Sequence, residues 1–126
     1  MATDVWGQQM IRAVMIAAVA LMLSAGPAAA KFLTGTGLLE ECREYEKIEA
    51  GQDANLIEVG FCLGYIGGVR DMVKAATSYA CTPDAANIRQ VTLVVIKHLK
   101  ENPAELHGMA LGSITLALRE AWPCPK

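Results

Sequence analysis

Four cysteines, Cys42, Cys62, Cys81 and Cys124, and two histidines, His98 and His107, are the residues of this chain best suited to chemistry. A cysteine nucleophile needs a free thiolate beside a positioned base. A zinc site built on cysteine wants close pairs such as CxxC, and that spacing is absent. His98 and His107 lie four and five residues either side of Asn102, so a helical hairpin there could bring them together. A metal would still want a third ligand, and Glu101 or Glu105 is a weak one. The histidines therefore read as hydrogen-bonding residues near helix ends. No Ser/His/Asp order, phosphate-cradling glycine loop or paired-carboxylate motif stands out, so no catalytic residue, cofactor or metal is assigned. The even cysteine count in a small chain points instead to two disulfides.

The elements that must position these residues are helices, because apolar residues recur at helical spacing and nowhere alternate over strand lengths. The first helix is expected over about Leu38–Ala50, with Thr36 as cap and an acidic outer face. "GQDAN" (51–55) breaks it, and Asn55 followed by Glu58 resembles a capping box that opens a second helix running to about Tyr79. Thr82, Pro83 and Asp84 suit the start of a third helix, with Ile88, Val91, Val95 and Leu99 as its buried stripe. Asn102, Pro103 and Glu105 repeat the device for a fourth, which faces Leu106, Met109, Ala110, Ile114, Ala117 and Ala121 inward and ends at "WPCPK". Short connections make successive helices antiparallel neighbours. The expected fold is an all-α antiparallel bundle of about four helices.

That bundle decides the cysteine pairing. Along one continuous helix, Cys62 and Cys81 would stand about 28 Å apart at 1.5 Å per residue. A disulfide needs Cα atoms roughly 4.4–6.8 Å apart, so this pair is excluded. Cys42 and Cys62 sit level across the first hairpin, and Cys81 and Cys124 meet at one end of the second. The expected bridges are Cys42–Cys62 and Cys81–Cys124.

The second helix carries "GFCLGYIGGVRDM" (60–72), with Gly60, Gly64, Gly67 and Gly68 in an apolar run. Each interior glycine costs a helix roughly 1 kcal/mol against alanine. Gly60, Gly64 and Gly68 are successive i, i+4 positions, so the sequence predicts a side-chain-free groove where a neighbouring helix packs closely. This helix is expected at the centre of the bundle, contacted on most sides.

The first thirty residues read as an address. A polar lead, an apolar run of about 14 residues and small residues before Lys31 make a secretory signal, with cleavage expected after Ala30. The run is shorter than the ~20 residues of a spanning helix. Residues 31–126 then form one exported domain with no membrane association after cleavage. The net charge of −2 gives no basic surface for nucleic acid.

The motifs "FCLGYIGGVRD", "CTP", "QVTLVVIKHLKENPAELH" and "WPC", in that order, resemble the Rap/Tai immunity proteins of type VI secretion systems. The likeness spans about Leu38–Cys124. It implies a small periplasmic helical homodimer that occludes the cleft of a secreted, papain-like Cys/His cell-wall amidase. The family scaffold motif maps onto Gly60, Cys62, Gly64, Tyr65, Ile66, Gly67, Gly68 and Asp71, then Cys81, Pro83, Pro103, His107, Pro123 and Cys124. The inhibitory loop does not transfer by residue. The candidates here are the turns Gln52, Asp53, Asn55 and Lys100, Glu101, Asn102. The alternative is a small periplasmic acid-stress chaperone, or an orphan binder without a cognate toxin.

Overall fold

Caps, glycines and prolines divide the chain into short helices, and the computed structural model describes residues 2–23, 31–76 and 78–126 of it. Its contacts separate two units, Met1–Lys31 and Phe32–Lys126. In the first, α1 spans Ala2–Leu23 and exposes Val5, Trp6, Met10 and Ile11. No helix among the described residues is long and apolar enough to cross a membrane. The expected cleavage site after Ala30 lies outside the described residues.

The second unit is all-α, as its periodicity predicts. It contains α2 (Gly35–Glu41), α3 (Arg43–Glu49), α4 (Leu56–Ala76), α5 (Ile88–Glu101) and α6 (Ala110–Ala121), with a 3-10 turn at Pro103–Glu105. Among the described residues the β-type pairing is one isolated antiparallel bridge, Thr34 with Met109.

Long-range bonds overrule several local start signals. The first expected helix is two helices, α2 and α3, that meet at Cys42, where ψ rises to −4° within the right-handed region. Its cap is Thr34, whose hydroxyl accepts from Gly37 N at 3.2 Å, not Thr36. Thr36 instead donates both its amide and its hydroxyl to Leu106 O. The third helix starts six residues after Thr82, at Ile88, where Asn87 Oδ1 accepts from Gln90 N at 2.9 Å. Thr82–Ala86 are needed as a turn, because Cys81 is held beside Trp122 O at 2.8 Å before the chain reaches α5. Asn102 does not open α6 either. Its amide and its side chain both donate to His98 O, closing α5.

The start of α6 is delayed because the preceding segment is stitched to the entrance of α2. Thr36 N donates to Leu106 O, Gly35 N to Gly108 O and Ala110 N to Leu33 O, at 2.8–3.0 Å. Gly35 is required at this crossing: a Cβ there would stand 3.1 Å from Leu106 Cα.

Apolar stripes on each helix close the core. α5 packs on both α4 and α6, α4 also meets α6, and α2 and α3 lie against α4. Val91, Val95 and Leu99 are buried as expected, with Ile96 beside them, while Ile88 is only half-buried. From α6, Ala110, Ile114, Ala117 and Leu118 are buried; Met109 and Ala121 are exposed, contrary to the expected stripe. Each large side chain fully buried here contributes roughly 1.5–3 kcal/mol. Both expected disulfides are present. Cys42–Cys62 has a Cα separation of 5.1 Å and lies wholly in the core, and Cys81–Cys124, at 4.9 Å, closes the end of the bundle.

The glycine helix departs most from its sequence reading. α4 buries one stripe, Val59, Cys62, Ile66, Val69 and Val73. Gly60, Gly64 and Gly68 lie on the opposite side and are exposed. A Cβ added to any of the three would meet nothing within 4 Å; only Gly67 is approached, by Ile88 Cδ1 at 3.2 Å. The expected close-packed groove is therefore an open face. α4 is mostly apolar round the helix, with Glu58, Arg70, Asp71 and Lys74 as its charges, so composition alone did not mark which side the neighbours cover.

Candidate partner-binding surface

The turn between α3 and α4 is built to hold one shape. Gly51 takes φ 71°, the left-handed value that favours glycine, and ends α3. Gly51 N donates to Ile48 O and Gln52 N to Lys47 O, both at 2.9 Å. Asn55 closes the turn from the other side: its Oδ1 accepts from Ile57 N at 3.1 Å and its Nδ2 donates to Glu58 Oε1 at 3.0 Å. The remaining capping-box bond comes from elsewhere, since Asn55 N donates to Glu44 Oε2 at 2.7 Å.

Charges brace the same turn. Glu44 also pairs with Lys47. Hydrogen bonds from Lys47, then from the Asn55 amide, hold its carboxyl below the ordinary value of 4.5. Just before the turn, Arg89 forks onto Glu49 with three bonds of 2.7–3.0 Å, and Tyr45 Oη donates to Glu49 Oε1 at 2.8 Å. Arg89 first and Tyr45 second lower the Glu49 carboxyl, while burial and that neighbouring carboxylate push the Tyr45 phenol up to about 12. Gln52 and Asp53 stand exposed on this frame, with Ala54 tucked against the core. Beside them Leu56 is 73% exposed. Sequence reasoning did not single out Leu56; its position in the first helical turn, directly after Asn55, was the available signal.

The second candidate turn is a helix end. Lys100 pairs with Glu46, Glu101 with Lys97, and Asn102 caps α5. The chain enters the first turn from Glu49, tied to Arg89 at the start of α5, whereas Lys100 and Glu101 are the last residues of α5 and Asn102 its cap. Both candidates are thus tied to α3, the first through Glu49 to the start of α5 and the second through Lys100 to Glu46.

The histidines are separate too. His98 is 7% exposed and its Nδ1 faces Glu120 Oε2 on α6 at 3.0 Å. His107 is exposed on the connection ahead of α6. Among the described residues no group of three His, Cys, Asp or Glu could hold a metal, and no cysteine is free. Of the scaffold motif, Cys62 and Ile66 lie in the core and Tyr65 stacks on Phe61 at 6.0 Å. Asp71 pairs with Arg70. Pro83 turns the chain after Cys81, Pro103 opens the 3-10 turn, and Pro123 precedes the Cys124 bridge.

A family model described as Rap1a immunity proteins matches residues 34–124, from the cap of α2 to the last disulfide. No curated protein and no solved structure matches the chain.

Proposed function

The chain belongs to the Rap1a immunity proteins, and on that premise we propose that it binds a secreted cell-wall amidase in the periplasm and blocks its Cys/His cleft without chemistry of its own. The observation that carries the choice of surface is the braced turn Gln52–Asn55. Its backbone is held by Glu44 and by its own amides, while Gln52, Asp53 and Leu56 face outward. A segment already fixed in shape loses little freedom on docking, which favours tight occlusion by a small contact. The polar pair beside one exposed leucine is also suited to an anchor with a hydrogen-bonding rim. The family resemblance further supports a homodimer as the active form.

The test is protection. Cells that receive a cognate amidase in the periplasm should survive when this protein is exported with it. The double variant Asp53→Arg/Leu56→Asp should fold with unchanged melting yet lose both protection and amidase binding. Lysis despite correct export of the wild type would refute the function; full protection by the variant would refute the turn.

A further inference from the structure

The two disulfides stand in opposite surroundings. Cys42 and Cys62 are both 0% exposed and belong to the core cluster of Leu38 and Ile66. Cys81 is exposed and Cys124 half-buried. Both line an open cleft of about 540 Å³ at the end of the bundle. Among the described residues the other walls are small or polar, Lys74, Ser78, Thr82 and Asp84 included, and no aromatic or branched aliphatic side chain covers the bridge. An attacking thiolate must reach a sulfur from outside, and this cleft supplies the approach.

The surroundings also tolerate opening of the bond. Cys81 lies between the end of α4 at Ala76 and the start of α5 at Ile88, and Cys124 lies beyond the end of α6 at Ala121, so neither is part of a helical turn. Other contacts keep the two strands of chain together. Cys81 N donates to Trp122 O at 2.8 Å, Trp122 packs on the core, and Lys74 pairs with Asp84. These hold Cys81 and Cys124 as neighbours once the bond is open, so it can close again.

We propose that Cys81–Cys124 is a thiol–disulfide exchange site, open to a dithiol protein of the CxxC kind, and that Cys42–Cys62 is closed to the same partner. One thiolate of the dithiol attacks Cys81 Sγ, on the more exposed cysteine, forming a mixed disulfide and expelling Cys124 as thiolate. The second thiolate of the partner attacks its own sulfur in that mixed disulfide, and Cys81 leaves as thiolate. Two electrons pass from the dithiol, which ends as a disulfide, to the bridge, and the two protons it loses end on Cys81 and Cys124. An oxidised partner runs the same steps backwards and closes the bridge. The buried pair has no such course, because the core must open before either sulfur is reached. The exchange is independent of amidase binding.

Partial reduction of the folded wild type tests this. Limiting dithiothreitol, then iodoacetamide and peptide mapping, should label Cys81 and Cys124 first. Their initial rate should exceed that of Cys42 and Cys62 by about 100-fold or more, since the buried pair reacts only through opening of the core. In denaturant the two rates should converge. The half-reduced protein should keep its helical circular dichroism. A thioredoxin-type CxxC protein with its second cysteine replaced by serine should be trapped as a mixed disulfide on Cys81. Equal native rates, or a Cys81–Cys124 bridge that resists reduction, overturn the exchange site, and so does a rate difference that persists in denaturant. Loss of helix on partial reduction overturns reversible opening. Reduction by dithiothreitol with no trapped adduct overturns access by a dithiol protein, and an adduct on Cys124 overturns the direction of attack.

Discussion

Replacing Gly64 by alanine separates two accounts of the glycine helix. If a neighbour packed against Gly64 within the chain, the methyl group would be forced into it and the fold would weaken. In the structure the added Cβ meets nothing within 4 Å, so only the backbone effect remains. Alanine favours an interior helical position over glycine by about 1 kcal/mol. For a domain of this size that corresponds to a rise of roughly 4–8 °C in the melting midpoint. Gly67→Ala provides the contrast on the same helix. Its Cβ would stand 3.2 Å from Ile88 Cδ1, so Ile88 must shift and the gain should shrink or vanish. The assay is thermal unfolding followed by circular dichroism, run dilute enough that self-association plays no part. A midpoint lowered by Gly64→Ala in the dilute protein would refute the reasoning, since it would require an intrachain contact on the open face.

Removing the two disulfides should cost unequal amounts. Chain entropy assigns about 3 kcal/mol to a loop of 20 residues and about 4 kcal/mol to one of 43, the separations of Cys42–Cys62 and Cys81–Cys124. The buried first pair should lose more than that when both cysteines become alanine, because a cavity is left among Leu38, Ile66 and their neighbours; paired denaturation curves give the comparison. The braced turn should loosen in acid. Glu44 has its folded value held below 4.5, so its contribution is complete above pH 4.5 and is lost as pH falls through the lower folded value. Amide exchange at Asn55 should accelerate in that window, and Glu44→Gln should remove the pH dependence.

Short-range physics made much of this protein legible. Helical spacing gave the all-α class, and the fixed rise of a helix set against the short reach of a disulfide selected both cysteine pairs. The stripe on α5 was readable because its apolar residues contrast with polar ones on the other side. The helix starts at Thr36, Thr82 and Asn102 were misjudged, since each is a competent local cap whose donors or backbone are taken by distant partners: Leu106 for Thr36, the Cys81–Cys124 closure for Thr82, His98 for Asn102. The turn at Gln52–Asn55 was legible as a break, but its rigidity depends on Glu44, eleven residues from Asn55. Above all, the sequence by itself determined that α4 would be apolar and rich in glycine. Only the tertiary structure decided that Gly60, Gly64 and Gly68 would face outward. A helix with glycine and apolar residues on most sides carries little periodic contrast to orient it, so its rotation is set by which neighbours reach it, and Cys62, bonded to Cys42 on α2's end, turns the side opposite these glycines to the core.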